Sequence, residues 1–441
     1  MDTKLHIVII GAGFGGMRAA QRLARAPVEV TLIDRRNYHL FQPLLYQVAT
    51  AGISPHEIAY PVRAIFQKQK NLDFLLAEVS GVDFPAKQVI TDRGPVAYDT
   101  LIISAGAAAN FFGNESLAQH AFTLKDISDA VALRNHLLEM FELATHERSE
   151  ATPALPSRMI CLANHVPVLA ARTVAGGARE RRALLTFAIA GGGPTGVESA
   201  GAFSELIRIV LRRDYPHLSL GDMRVILLEA TDALLAGFPP RLQARALKDL
   251  SAKHVEVRLG ARVVNYDGEA VMLASGEIVP ARTMLWSAGV RAAPLADALG
   301  VEQMKQGRVK VTPELQVPGH PEVYVIGDSA YVENGGAALP MMAPVATQQA
   351  ELAVENILAH MQGKSLKQFH YKDPGSLATI GRSAAVARIG RWQFTGFVSW
   401  VVWLVVHLIG LIGFRNKLIV LINWTWDYVF YDRAVRLITN E

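Results

Sequence analysis

The chain has 441 residues, 51% hydrophobic and 19% charged, with a formal net charge of +4, and this length calls for about two to four packed cores. Its mean hydropathy of +0.21 and pI of about 9.1 make it more apolar than an ordinary soluble enzyme and mildly basic. That balance suits an anionic lipid surface, and with no Lys/Arg run interleaved with aromatics it excludes a nucleic-acid binder. The single cysteine, Cys161, excludes an internal disulfide, a CxxC redox pair and a cysteine-built zinc or iron–sulfur site, and no metal is expected. A first strand starting at about Lys4 leaves no room for a secretory leader, so the catalytic part is expected in the reducing cytoplasm.

Residues 5–34 read as one βαβ unit: an apolar strand from Leu5 to Ile10, the loop Gly11-Ala12-Gly13-Phe14-Gly15-Gly16, a helix, and a second strand ending at Asp34. Such a loop brings a pyrophosphate close to a helix N-terminus, and an acid about 20 residues on can accept from a ribose 2′-hydroxyl. Here Asp34 follows Gly11 by 23 residues. An apolar strand then runs into Ser104-Ala105-Gly106.

The same pattern recurs from Leu184 to Ala190, through Gly191-Gly192-Gly193-Pro194-Thr195-Gly196, to a strand from Met223 to Leu228 that ends at Glu229. This copy takes 38 residues from loop to acid, which a basic loop from Arg212 to His217 explains. It closes on Ser287-Ala288-Gly289, offset by 183 residues from the first closure against 180 for the loops. The match is therefore a repeat of a whole domain. Between the copies, residues 148–182 carry six Arg against two Glu and contain Cys161; they read as a solvated basic loop, with a lid or partner surface as the alternative. After both copies, Val323 to Asp328 is a short buried-strand run ending in Gly-Asp. Asp328 reads either as a helix cap or as a contact to a flavin's ribityl or phosphate.

The chain resembles the two-dinucleotide flavoprotein superfamily, and the segments from Arg36 to Ala49, from Gly191 to Glu198 and from Ala346 to Gln349 resemble type II NADH dehydrogenase. That resemblance implies an α/β fold with two Rossmann-like, glutathione-reductase-like domains and a helical C-terminal region for membrane attachment. It divides the chain into a discontinuous FAD domain (1–125 and 305–375), an NADH domain (126–304) with the inserted loop, and an anchor (376–441). Gly11, Gly13, Phe14, Gly15, Gly16, Asp34, Arg35, Val79, Ala105, Gly106, Asp328 and Ala346 are then expected to line non-covalent FAD. Gly191, Gly193, Pro194, Thr195, Gly196, Glu229, Ala288 and Gly289 are expected to line NADH. Glu198, placed in the first turn of its helix, is expected near the reacting rings, its alternative being an acid favoured by the helix dipole. The family's Ala-Gln-x-Ala-x-Gln pattern is broken by Pro344, which leaves Gln348 and Gln349, with Pro43, Leu44 and Tyr46, as the expected quinone wall. Arg382 is a candidate beside the flavin or a surface arginine.

The acceptor follows from what is missing and from the tail. One cysteine excludes a disulfide acceptor or a polysulfide relay, and an apolar run from Trp392 to Phe414 holds 23 residues without Asp, Glu, Lys or Arg. Its length could span a bilayer. Trp400 and Trp403 in mid-run, with Gly396, Gly410 and Gly413 interrupting it, favour an in-plane anchor instead. The expected activity is non-electrogenic NADH:quinone oxidoreduction at the cytoplasmic face of the inner membrane, by a homodimer in contact with lipid. A reductase for a soluble protein acceptor and a slow FAD/NADH redox sensor are the alternatives.

Overall fold

The computed structural model describes residues 4–146, 177–430 and 435–439. Most of the 148–182 segment, Cys161 included, lies outside them; its end, from Gly177, forms the helix Gly177–Leu184 instead of loop.

Leu5–Ile10 lies in a six-stranded sheet between Val28–Asp34 and Thr100–Ile103, parallel to both. Ile7–Ile10 and Thr100–Ile103 are buried along their whole length, as central parallel strands must be, while Val28–Asp34 is buried chiefly at Val28, Val30, Leu32 and Ile33. Leu72–Leu76 extends one edge, and His320–Val325 pairs in parallel with Thr100–Ile103 at the other, so the chain returns to the first sheet after leaving it for some two hundred residues. The second copy builds a four-stranded parallel sheet of Thr186–Ala190, Arg224–Leu228, Val255–Arg258 and Thr283–Trp286. Each sheet is accompanied by a three-stranded antiparallel meander, Val79–Asp83 with Gln88–Thr91 and Gly94–Ala97, and Val263–Tyr266 with Ala270–Leu273 and Ile278–Pro280. The strands following the two Ser-Ala-Gly closures pair with each other, Ala107 opposite Ala292 and Ala109 opposite Val290. The duplication thus joins its two copies at equivalent points.

The helix after the second loop, Pro194–Glu205, starts on a proline, whose missing N–H costs nothing there. It widens to π-helical geometry over Leu206–Leu211 and continues through Arg212–Asp214. The loop expected from Arg212 therefore begins only at Tyr215, because no helix-breaking residue precedes Pro216. Gly201 in this helix is forced: a Cβ there would overlap the Ile380 carbonyl oxygen. The close approach seats the antiparallel sheet Ser376–Gly381, Ala384–Ile389 and Trp392–Thr395 directly on the helix that follows the second glycine loop.

The last two helices among the described residues are Phe397–Gly410 and Phe414–Phe430, of 14 and 17 residues. At 1.5 Å per residue they extend about 21 and 26 Å, short of a hydrocarbon core of about 30 Å, and no helix among the described residues is long and apolar enough to cross a membrane. Part of the expected 23-residue run is strand, and Gly413, at positive φ, separates the two helices. Their inner side docks through Trp403, Leu411 and Val420, all buried. Asn423 Nδ2 donates to Glu57 Oε1 at 2.8 Å and Trp424 Nε1 to Gln47 Oε1 at 2.8 Å. Val398, Val401, Val405 and Ile409 on the first helix and Phe414, Leu418 and Ile422 on the second, spaced three or four residues apart within each helix, are exposed.

Candidate active site

The two loops are built alike. A Cβ on Gly16 would overlap the Gly11 carbonyl oxygen, and one on Gly196 would overlap that of Gly191, so each helix crosses its own strand at backbone contact. Gly11 and Gly191 sit at φ of +96° and +105°, a region open to glycine. A Cβ on Gly13 or Gly193 meets no atom within 4 Å, which leaves the outer face of each loop open to a pyrophosphate at a helix N-terminus. Pro194 and Thr195 are exposed at the second of these termini. The acids close the motif from the other side. Ala12 N–H donates to Asp34 Oδ2 at 2.6 Å and Gly192 N–H to Glu229 Oε2 at 2.5 Å.

Around the first loop, Phe14 stands edge-on to His39 with centroids 5.2 Å apart and to Phe41 at 5.9 Å. His39 Nδ1 bonds the Ala12 carbonyl at 2.8 Å, and burial holds its ring below the ordinary imidazole value. Gly106 O accepts from Ser329 Oγ at 3.1 Å, which places Asp328 beside the Ala105-Gly106 closure. Burial raises the Asp328 carboxyl above the usual range, against the pull of Lys125 and Arg308. Ala346 sits against Gly327, where a Cβ would lie 3.2 Å from that of Ala346. Arg35 points outward to an ion pair with Glu78 at 3.8 Å, and Val79 opens the first meander. In the second copy, Ala288 packs at Gly191 and Gly289 against the Phe112 ring.

Glu198 is the fifth residue of its helix, just beyond the first turn where it was expected. It is buried, and burial pushes its carboxyl up to about 8 against two hydrogen bonds that favour the anion. Both donors reach Oε1: the Thr379 N–H at 3.4 Å and Trp403 Nε1 at 3.3 Å. Trp403 in turn stacks on His407 at 4.0 Å, which meets Phe41 edge-on at 6.1 Å. A chain of aromatic contacts therefore runs from the first loop to the tail.

The expected quinone wall is not assembled as foreseen. Leu44 is wholly buried in the main core and Pro43 sits in a short turn beside it. Gln349 is wholly buried and accepts from the Gly327 N–H at 2.6 Å. Its Nε2 is buried without a hydrogen-bond partner among the described residues. Gln348 turns the other way, its Nε2 donating to the Lys372 carbonyl at 2.8 Å and its Oε1 accepting from the Lys372 N–H at 3.0 Å. Tyr46 and Arg382 do share a cavity, with Thr379, Trp400, Trp403 and Tyr428. It lies between the Pro194–Glu205 helix and the tail. Arg382 is engaged there from both sides, its N–H by Glu205 and its guanidinium 4.0 Å from the Tyr428 ring centroid. The sequence reading missed Thr379, Trp403 and Gly201; Trp403 in the middle of an otherwise lipid-like run was the available signal. No cluster of metal-binding side chains occurs among the described residues.

Two loop–helix–acid units, facing closures and a recessed carboxyl at the second helix define a protein built for two dinucleotides. A model described as pyridine nucleotide-disulphide oxidoreductase matches residues 5–350, and one described as the NDH2 C-terminal domain matches residues 374–431. The chain belongs to the pyridine nucleotide-disulphide oxidoreductase family and, within it, to the type II NADH:quinone oxidoreductases. It is 40% identical over 452 residues to the type II NADH:quinone oxidoreductase Ndh of Mycobacterium tuberculosis, covering 99% of this chain and 90% of that one. It is 38% identical to NdhA of the same organism over 99% of this chain and 90% of that one. The solved structure of NDH2 from Plasmodium falciparum in complex with NADH has the same fold, with a TM-score of 0.82 over 99% of this chain and 100% of that one at 20% identity.

Proposed function

We propose that the protein oxidises NADH with FAD and delivers the electrons to a membrane quinone, without pumping protons. The observation that carries the reading is the pairing of Ala107–Ala109 with Val290–Ala292, which joins the ends of two like dinucleotide sites. The residues fit the two groups. Gly11, Gly13, Phe14, Gly15, Gly16, Asp34, Ala105, Gly106, Asp328 and Ala346, with Val79 and Arg35 at the rim, would hold FAD; the unpartnered Gln349 Nε2 adds a donor there. Gly191, Gly193, Pro194, Thr195, Gly196, Glu229, Ala288 and Gly289 would hold NADH.

Bound FAD supplies an acceptor for a hydride and a donor of electrons to quinone. The chain's own part would be to orient the partners and exclude water: the helix N-termini would receive the phosphates, and Glu198 offers a carboxyl whose raised affinity for protons suits proton exchange near neutral pH. The carboxylate of Glu229 favours a free ribose hydroxyl over a 2′-phosphate. We place the quinone ring in the aromatic cavity of Tyr46, Arg382 and Trp403 rather than against Gln348, whose amide is committed to Lys372.

The return of His320–Val325 to the first sheet supports a discontinuous FAD domain. The exposed apolar stripe on the two C-terminal helices supports monotopic attachment, for which we propose the cytoplasmic face of the inner membrane; a homodimer is part of the same proposal. The test is stopped-flow: NADH should bleach the flavin rapidly, and a short-chain quinone should restore it. Bleaching without recovery would mean another acceptor.

A further inference from the structure

Trp403 is anomalous in its surroundings. It is 1% exposed, whereas Val401, Val405, Val406 and Ile409 on the same helix are 38% to 68% exposed. Its ring is fixed by stacking on His407 at 4.0 Å and by Trp424 and Tyr46 at centroid distances of 5.8 and 6.5 Å. An indole has one donor and no acceptor, and this one is spent on Glu198 Oε1, the oxygen that the Thr379 N–H also reaches. Two donors on Oε1 leave Oε2 as the oxygen able to carry the carboxyl proton.

We infer that Trp403 is a positioning residue for the hydride site: the first tail helix reaches back across 205 residues of sequence to pin Glu198 Oε1 and so orient Oε2. The tail is then part of the active site as well as an attachment device. This rests on reading Glu198 as the acid of that site. The other titratable groups on the packed elements do not take over the role. On its own helix Glu205 is tied to Lys253 at 2.7 Å. At the end of the neighbouring strand Arg382 lies over Tyr428. On the helix Leu45–Ala49, Tyr46 OH accepts from Gln47 at 3.0 Å. On the tail, His407 is held neutral by burial, which takes its ring down to about 4. The influences on Glu198 itself are burial, Thr379 and Trp403.

The test uses the full FAD-loaded chain without quinone and reads the pH midpoint of flavin bleaching by NADH. Trp403→Phe keeps an aromatic ring and removes the donor. Losing a bond that favours the carboxylate should move the midpoint up by about one unit. Should Trp403→Phe fold poorly, benzothienylalanine at 403 keeps the bicyclic shape without the N–H and should give the same shift. Glu198→Gln separates the two levels. If it leaves the parental midpoint in place, the reading of Glu198 is wrong. If it abolishes the midpoint while both Trp403 variants retain the parental value, the inference about Trp403 is overturned.

Discussion

Gly192 gives its backbone N–H to Glu229 Oε2 at 2.5 Å, across 37 residues of chain, so the acid proposed to meet the second dinucleotide also braces the glycine loop beside it. Its other oxygen accepts from the Thr231 N–H and hydroxyl, both at 2.8 Å. Glu229→Gln keeps one acceptor oxygen for Gly192, gives up the one that serves Thr231, and removes the charge that repels a 2′-phosphate. The preference for NADH over NADPH should fall by about tenfold, one strong charge interaction's worth. Glu229→Ala should reduce the same preference and weaken NADH as well, because the loop loses its brace. Steady-state kcat/KM for both nucleotides measures this; an unchanged ratio in both variants would remove Glu229 from nucleotide selection.

The twin glycines at the helix–strand crossings predict a split phenotype. Ala at 16 or at 196 places a Cβ on a carbonyl oxygen of its own loop, and neither backbone can give without opening its phosphate site. Gly16→Ala should purify with little flavin, measured by the absorbance ratio of flavin to protein. Gly196→Ala should keep its flavin and lose rapid bleaching by NADH. Equal flavin loss in the two variants would contradict the assignment of the two loops to different nucleotides.

Gly201 tests the seam between the second domain and the C-terminal sheet. Gly201→Ala drives a methyl into the Ile380 carbonyl, and a misfit of this kind costs about 1–3 kcal/mol. Thermal unfolding should shift down by a few degrees. Because the seam also delivers Thr379 to Glu198, bleaching by NADH should slow even at temperatures where the variant stays folded. A variant as stable and as fast as the parent would show that the seam is slack.

Burial raises Glu198 to about 8 from an ordinary carboxylate value, and the sign of the resulting pH effect is fixed by linkage. With the folded value above the unfolded one, the folded state binds the extra proton, so this contribution is full below the unfolded value and is lost as pH rises through about 8. Glu198→Gln imitates the protonated form at every pH. Its melting temperature should match the parent near pH 4 and exceed it by roughly a few degrees at pH 8 to 9. Scanning calorimetry at the two pH values decides it; an equal gap at both would place the ionisation of Glu198 outside this window.

How much of this was legible in the sequence depended on whether a feature was local. The loops, the acids Asp34 and Glu229 and the Ser-Ala-Gly closures are contiguous motifs, and the structure brings each set together. The paired meanders went unread, although Asp267-Gly268 is a hairpin signal of the ordinary kind. Gln348 and Gln349 were grouped through the family resemblance, yet neighbours on a helix point about 100° apart, so one enters the core and the other reaches Lys372. The surroundings of Glu198 were beyond any local pattern, since its donors come from 181 and 205 residues away.

The tail carries the last prediction. Ile409 and Phe414 are 68% and 81% exposed, and Leu421 and Ile422 are 46% and 55% exposed, on helices whose opposite sides are packed against Glu57, Gln47 and Glu198. A stripe of this size on a folded surface is ordinarily covered, and helices too short to span can bury one face in the headgroup region. Ile409→Glu with Ile422→Glu replaces two exposed apolar side chains with carboxylates without touching the docked side. Flotation with vesicles of mixed neutral and anionic lipid should show binding lower by about tenfold or more, since each lost apolar contact and each added like charge works in the same direction. Flavin content and bleaching by NADH should be unchanged, because neither residue contacts the dinucleotide loops. Reoxidation by a water-soluble short-chain quinone should persist, while reoxidation by a long-chain quinone confined to vesicles should fall in step with binding. Undiminished flotation would mean that this stripe is not the surface that meets the lipid.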